Sequence, residues 1–323
     1  MNEVSQKPSV AIRCLVYNHE KYLRDCLDGI VMQQTSFPFF AVVHDDCSTD
    51  SSAAIIREYQ QNYPDIIRPI FEEVNCYSTD WRVADQKIQE AYGDAKYIAV
   101  CEGDDYWTDP NKLQKQVDYL ESHPNYAVCA HETLFKDEQY HAGEVLYSKL
   151  VCRNSIIPST RQDYSFEDTL RGNIYHLSSL LFRHKDLIEF PKWRYRISAG
   201  DMVLFRYLGS CGLAHWIPET MSVYRGHDGS VTSKEAVYGS TILFNEMNIL
   251  VLRLLNRFWN RQYQKIIYPI ISLYYAECAL LYTRKSMRSF FSFNKMARVA
   301  IKYDGIAAMN HIMIGLLKRL MRF

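Results

Sequence analysis

Three times in the first 105 residues, a short run of β-branched and apolar side chains stops abruptly at a polar loop. Ser9 to Tyr17 leads into Asn18, His19 and Glu20. Phe39 to His44 leads into Asp45-Asp46-Cys47-Ser48-Thr49-Asp50, and Tyr97 to Cys101 into Glu102-Gly103-Asp104-Asp105. Between these runs the spacing turns helical: Tyr22, Leu23, Leu27 and Ile30 share one face, and Ala53 to Tyr63 and Val83 to Ala91 read as helices around a short strand, Arg68 to Phe71. Strands that alternate with helices pair in parallel, because each right-handed crossover returns the chain to the same end of the sheet. The expected fold class is therefore α/β, a doubly wound, mostly parallel sheet flanked by helices. Ligands of such sheets sit at the carboxyl ends of the strands, and all three polar loops fall there.

Further along, Lys112 to Ser122 reads as a helix stopped before Pro124, Ala127 to Glu132 and Tyr175 to Phe182 as strands, Met202 to Leu208 as a helix and His215 to Tyr224 as a last extended segment; residues 136–170 are polar and irregular. From about Ala236 the pattern becomes long helices, broken at Pro269 and around Ser286 to Asn294. This divides the chain into a catalytic domain over 1–235 and an all-helical extension over 236–323. Lysine and arginine balance aspartate and glutamate at 37 each, yet from Lys234 onward 14 basic residues face 4 acidic ones, a net +10. Such asymmetry suits an anionic partner, and a membrane surface fits it as well as nucleic acid does; a solvated basic face is the plainer reading.

Nine cysteines without a CxxC pair or zinc spacing read as reduced thiols, and the N-terminal residues lack the pattern of a signal peptide. No apolar run reaches the length of a membrane span. The expectation is a cytoplasmic or peripherally attached protein. No Walker lysine motif, G-x-G-x-x-G or G-x-S-x-G is present, which argues against a P-loop ATPase, a dinucleotide dehydrogenase and an α/β-hydrolase.

Glu102, Asp104 and Asp105 on a turn with Gly103 can bring carboxylate oxygens to one hard cation. Standing alone, such a turn is more simply explained by aspartate bonding its own backbone. It does not stand alone. The order of a strand ending in Val16-Tyr17-Asn18, a second ending in Asp45 to Asp50 and a third ending in Glu102 to Asp105 resembles glycosyltransferase family 2 over residues 8–232, with Tyr106, Trp107 and Pro110 following as in that family.

The resemblance implies a GT-A type fold and inverting transfer of a sugar from a nucleoside diphosphate. It makes Tyr17, Asn18 and Asp46 donor-binding candidates, with Asp46 taking the hydrogen bond of the base. It assigns Asp105 to the metal, Mn²⁺ or Mg²⁺, and Asp104 to the ribose or the metal, with Glu102 in support; which two acids form the working pair stays open. Asp201, in Ala199-Gly200-Asp201-Met202, falls where the family carries its catalytic base, and as an aspartate before a helix it reads equally as an N-cap. In Val223 to Thr232, His227 is assigned to metal or diphosphate and Arg225 to diphosphate. His131, Glu132 and Trp193 are weaker acceptor candidates, better explained by packing.

Two amphipathic stretches close the chain. Phe244 to Phe258 aligns Met247, Leu250, Val251, Leu254, Leu255 and Phe258 on a face expected to pack, and Ile306 to Phe323 mixes apolar residues with Lys318, Arg319 and Arg322 as an interfacial helix on anionic lipid would, or as a packed helix would. The resulting expectation is a hexosyl- or N-acetylhexosaminyltransferase using a UDP-sugar, with a saccharide or polyprenyl-linked saccharide acceptor in cell-surface polysaccharide synthesis on the inner face of the plasma membrane, and no nucleic acid partner. The rivals are a nucleotidyltransferase, which would need a glycine-rich loop where Val16 to Leu23 has no glycine, and a non-catalytic nucleotide-sugar-binding module, which would not need Asp201.

Overall fold

The computed structural model describes residues 9–137, 144–146, 161–172, 174–197, 200–227, 241–282, 298–300 and 302–304. The chain forms two compact units, one of Met1–Ser198 with Phe205–His227, the other of Ala199–Leu204 with Asp228–Phe323. The expected junction at 235/236 and the helix Ile306 to Phe323 lie outside the described residues.

The first unit opens with β1 (Val10–Val16), α1 (Leu23–Val31), β2 (Phe39–Asp45), α2 (Ser52–Asn62), β3 (Ile67–Phe71), α3 (Trp81–Tyr92) and β4 (Tyr97–Val100). The strands lie in the order β3-β2-β1-β4, all parallel. After β1 the chain builds outward through β2 and β3, then returns to the other side of β1 for β4. That reversal places the loops after β1 and β4 side by side, the arrangement that opens a crevice in sheets of this kind. β4 is apolar and buried throughout, and β1 largely so apart from Arg13, as strands covered on both faces must be.

Beyond β4 the sheet becomes mixed. β5 (Tyr106–Trp107), α4 (Lys112–Ser122), β6 (Tyr126–Asp137), β7 (Glu144–Leu146), β8 (Asp163–Tyr164), α5 (Phe166–Arg171) and β9 (Leu181–Arg183) follow in sequence. α6 (Gly200–Cys211) has its first turn in the second unit, and β10 (Leu213–Gly226) completes the sheet. The order continues β4-β9-β6-β10-β5, with β9 antiparallel to both neighbours and β10 parallel to β6. The strand expected over Tyr175 to Phe182 is shortened to β9. Before it, His176 accepts the amide of Ser178 on its ring nitrogen and Ser179 donates its hydroxyl to the His176 carbonyl, closing a 3₁₀ turn over Leu177–Ser179. Local side-chain hydrogen bonds of this kind compete with strand pairing.

Two residues fix how α1 and α4 seat on the sheet. A Cβ on Gly29 would meet the Trp107 carbonyl oxygen at 2.8 Å, so the close approach of α1 to β5 requires glycine. Lys112, fully buried, sets its ammonium 4.0 Å from the centre of the Trp107 ring and 2.8 Å from Gln116 Oε1. The eight described cysteines are free thiols, three of them (Cys14, Cys26 and Cys101) in contact beneath the β4 loop.

In the second unit, α7 (Thr241–Phe258) and α8 (Gln264–Tyr282) pack on one another. α8 runs through Pro269 instead of breaking there. Proline removes one backbone donor, and the burial of Ile267, Ile270 and Ile271 around it offsets that loss. The packed face of α7 also differs from expectation: Ile249, Val251, Leu252 and Leu255 are buried together with Asn245, Asn248 and Asn256, while Leu250 is exposed. Asn245 donates to Glu277 and Asn248 to the Phe244 carbonyl. A reading by polarity turns these asparagines outward; Asn245 and Asn248 face inward with hydrogen bonds made, whereas Asn256 is buried with its Oδ1 lacking a partner among the described residues. No helix among the described residues is long and apolar enough to cross a membrane.

Burial pulls the Lys112 ammonium down to about 7 from its usual value. Between that pH and about 10 the unfolded chain holds a proton that the folded chain lacks, so raising the pH favours the fold. Wild type should therefore gain on the order of 3 kcal/mol over Lys112→Met between pH 7 and 10, read as the difference in their urea midpoints; parallel pH profiles would show that Lys112 is charged in the fold.

Candidate active site

The loops after β1 and β2 are laced together by their own polar side chains. Asn18, in the left-handed region at φ 57°, donates its amide to Ser48 Oγ and accepts the Thr49 amide on Oδ1. The His19 amide reaches Ser52 Oγ, Glu20 N reaches Asp50, and Ser51 N returns to Glu20. Asn18 therefore acts as a brace between loops, its amide oxygen already engaged. Tyr17 projects from the end of β1 and is 46% exposed.

Asp46 is buried, and its carboxylate accepts the amides of Cys76 at 2.6 Å and Tyr77 at 2.9 Å. A carboxylate has about four acceptor sites, so capacity for one more donor remains. Beside it, the equally buried Asp45 has an Oδ1 with no hydrogen-bond partner, an open acceptor that the sequence reading passed over.

The β4 loop brings the acids into the crevice. Gly103 N bonds the Leu15 carbonyl at 2.9 Å, and a Cβ there would meet His19 Nδ1 at 2.7 Å and Leu15 O at 3.1 Å. Only glycine lets this loop lie against the end of β1. Glu102 turns away from its neighbours to pair with Arg13 Nη2 at 2.9 Å. With Glu102 so paired, Asp104 and Asp105 are the acids of this loop that meet His227, His19 and the Arg225 amide.

Their surroundings pull them apart electrostatically. Burial raises the Asp104 carboxyl, but the hydrogen bond from His227 and the charges of His19 and His227 outweigh it, and the net shift is downward. His227 Nε2 lies 3.2 Å and His19 Nε2 3.9 Å from Asp104 Oδ2. Asp105 is 2% exposed and pushed well up, by burial first and by the Asp104 charge next. Its Oδ1 accepts the Arg225 amide at 3.1 Å, and His176 Nδ1 is 3.8 Å from Oδ2. Burial takes the His176 imidazole down to about 3, so it faces Asp105 neutral.

β10 supplies the wall. His227 tilts against the Tyr22 ring, with centroids 4.4 Å apart. The Arg225 guanidinium bonds the carbonyls of Tyr22 and Asp104, pairs with Asp25 and lies 4.3 Å from the Tyr106 ring centre. These contacts make Arg225 a strut under the acidic loop. His19, His176 and Arg13 went unassigned in the sequence because their partners lie 85, 71 and 89 positions away (His19 from Asp104, His176 from Asp105, Arg13 from Glu102).

A carboxylate oxygen and an imidazole nitrogen converging from Asp104 and His227 suit a transition ion such as Mn²⁺. Among the described residues no three histidine, cysteine or acidic side chains are arranged to hold a metal. Protein ligation there would be partial, with the remaining positions left to substrate and water.

Asp201 stands exposed in the first turn of α6, in the second unit, and has neighbours of its own. His131 and Glu132 are buried in β6, where His131 Nδ1 lies 2.8 Å from the Glu132 carbonyl oxygen and Glu132 accepts the Thr133 amide. Trp193 lies half-buried in a 3₁₀ segment, Lys192–Arg196.

Residues 14–187 match the model of the family described as Glycosyl transferase family 2. An uncharacterized protein of Mycobacterium tuberculosis is 35% identical over 223 residues, 68% of this chain and 59% of that one, so the chain spans about three-fifths of that relative's length. An uncharacterized glycosyltransferase of Methanocaldococcus jannaschii is 32% identical over 230 residues, 62% of this chain and 74% of that one. Among solved structures, residues 1–349 of TarS from S. aureus in complex with UDP-GlcNAc superpose with a TM-score of 0.59 at 15% identity, covering 97% of this chain and 92% of that one. The mannosyltransferase PcManGT from Pyrobaculum calidifontis, in complex with GDP-Man and Mn²⁺, gives 0.55 at 14%, covering 98% and 88%. These two likenesses are of fold, the GT-A arrangement of sheet and helices. With the family match extending over more than half of its length, the chain belongs to glycosyltransferase family 2.

Proposed function

We propose that this glycosyltransferase is an inverting hexosyl- or N-acetylhexosaminyltransferase. It takes its sugar from a UDP-sugar and places it on a saccharide or polyprenyl-linked saccharide, in cell-surface polysaccharide synthesis at the inner face of the plasma membrane. The observation that carries the reading is the Asp104–Asp105 pair, held between the ends of β1 and β4 with His227 on Asp104. The UDP-GlcNAc complex of TarS supports the donor class, and the Mn²⁺ of PcManGT supports the metal.

In this reading the exposed Tyr17 ring lies against the base, and Asp46 accepts its N–H. Asp104, Asp105 and His227 would hold a cation, Mn²⁺ or Mg²⁺, only together with donor and water, since these side chains as arranged do not form a metal site by themselves. That cation supplies positive charge to offset the diphosphate as it leaves. Arg225 keeps Asp104 in place through its backbone carbonyl. Asp201 removes the proton from the acceptor hydroxyl while that oxygen attacks the anomeric carbon from the face opposite the diphosphate. Asp201 lies inside the first turn of α6, not at the N-cap position, and a helix N-terminus favours the ionised carboxylate there.

Asp105→Ala should lower Mn²⁺-dependent UDP release by about 100-fold or more. Asp201→Asn should lower transfer by roughly 10²- to 10⁴-fold while leaving donor binding near wild type. A panel of UDP-, GDP- and dTDP-sugars scored for binding and turnover checks both; absence of binding to every donor with either metal would sink the proposal. Gly103→Ala, whose Cβ must displace the His19 ring, should weaken Mn²⁺-dependent UDP binding by about tenfold, measured calorimetrically.

A further inference from the structure

α7 has a buried side and, opposite it, an apolar ridge. Its inward side carries Asn245, Ile249, Leu252 and Asn256, all buried. On the far side, Leu243, Met247, Leu250 and Leu254 recur with a spacing of three and four, which keeps them within about 60° of one another around the helix. Leu243 is 57% and Leu250 41% exposed, and Phe244 in the first turn is 46% exposed. A helix with one packed face ordinarily presents polar residues outward. An exposed apolar ridge opposite the packed face marks an interaction surface.

The charges beside the ridge identify what it meets. Arg253 and Arg257 lie along one flank and are exposed, as are Arg261 and Lys265 just beyond; Glu246 is the one acid in α7. Arg253 is turned toward the Tyr303 hydroxyl, which leaves its charge uncompensated by that contact. From Lys234 onward the chain carries a net +10. Leucines set beside outward-facing arginines are the chemistry of a surface that inserts shallowly among acyl chains while its cations meet lipid phosphates.

We propose that the outer ridge of α7 docks the protein on an anionic bilayer, with Leu243 and Leu250 entering the interface and Arg257 contacting headgroup phosphates. This extends the inner-leaflet placement proposed above by naming the surface that provides it. Vesicle binding needs neither donor nor acceptor, so its failure would leave the transferase reading standing.

The test is co-sedimentation of the full chain with phosphatidylcholine vesicles, with and without phosphatidylglycerol, at low and high salt. Wild type should bind the phosphatidylglycerol vesicles and be released by salt. The double variant Leu243→Ser/Leu250→Ser should bind at least about tenfold more weakly, and Arg257→Gln should weaken binding while lessening its salt dependence. Unchanged UDP-sugar binding would show that each variant is folded. Wild type that ignores anionic vesicles, or a double variant that binds as wild type does, would overturn the proposal; so would a concentration-dependent dimer that the double variant abolishes, which would assign the ridge to a second copy of the chain.

Discussion

Two carboxylates on adjacent residues, 104 and 105, stand mostly out of water, and most of the crevice is built around holding them there. Buried like charges repel, and each also loses its hydration, so a fold that keeps them must supply compensation at close range. It does so unevenly. Asp104 receives two imidazoles, while Asp105 receives a backbone amide and a neutral His176. The result is one acid held ionised and one held toward its neutral form, a pair short of positive charge that a divalent cation would supply.

The same requirement explains features that look unrelated along the chain. Gly103 is bare so that the loop can reach the end of β1. The Arg225 side chain is spent on the carbonyls of Tyr22 and Asp104 and on Asp25, while its amide is spent on Asp105. The arginine ties α1 to the acidic loop and the last strand. Glu102 is removed from the competition by Arg13, so that three acids in four residues do not all press on one space. Lys112 is the reverse case, a buried ammonium with an amide and an indole ring but, among the described residues, no acidic partner, which burial takes toward neutrality.

Much of this could be read from the chain. Alternating apolar runs with polar endings located β1, β2 and β4, their parallel pairing and the edge of the sheet that gathers the polar loops, because strand polarity puts every such ending at the same edge. Asp104, Asp105, Arg225 and His227 were singled out and do converge. The misreadings share a cause. The turn before β9, the continuous helix through Pro269 and the inward asparagines of α7 all depend on hydrogen bonds or burial supplied by partners that periodicity does not register.

Local pattern alone therefore determined the fold class and placed the polar loops at one edge of the sheet, since both follow from polarity repeated at short range; the acids became candidates only through the order of the loops that resembles the family. Which neighbours each acid meets was decided only by tertiary packing. Glu102 leaves the site through a strand 89 residues away, and His227 enters it from 123 residues away. The charge state of a buried carboxylate depends on whatever lies within a few ångströms, and the chain brings those neighbours together only when it closes.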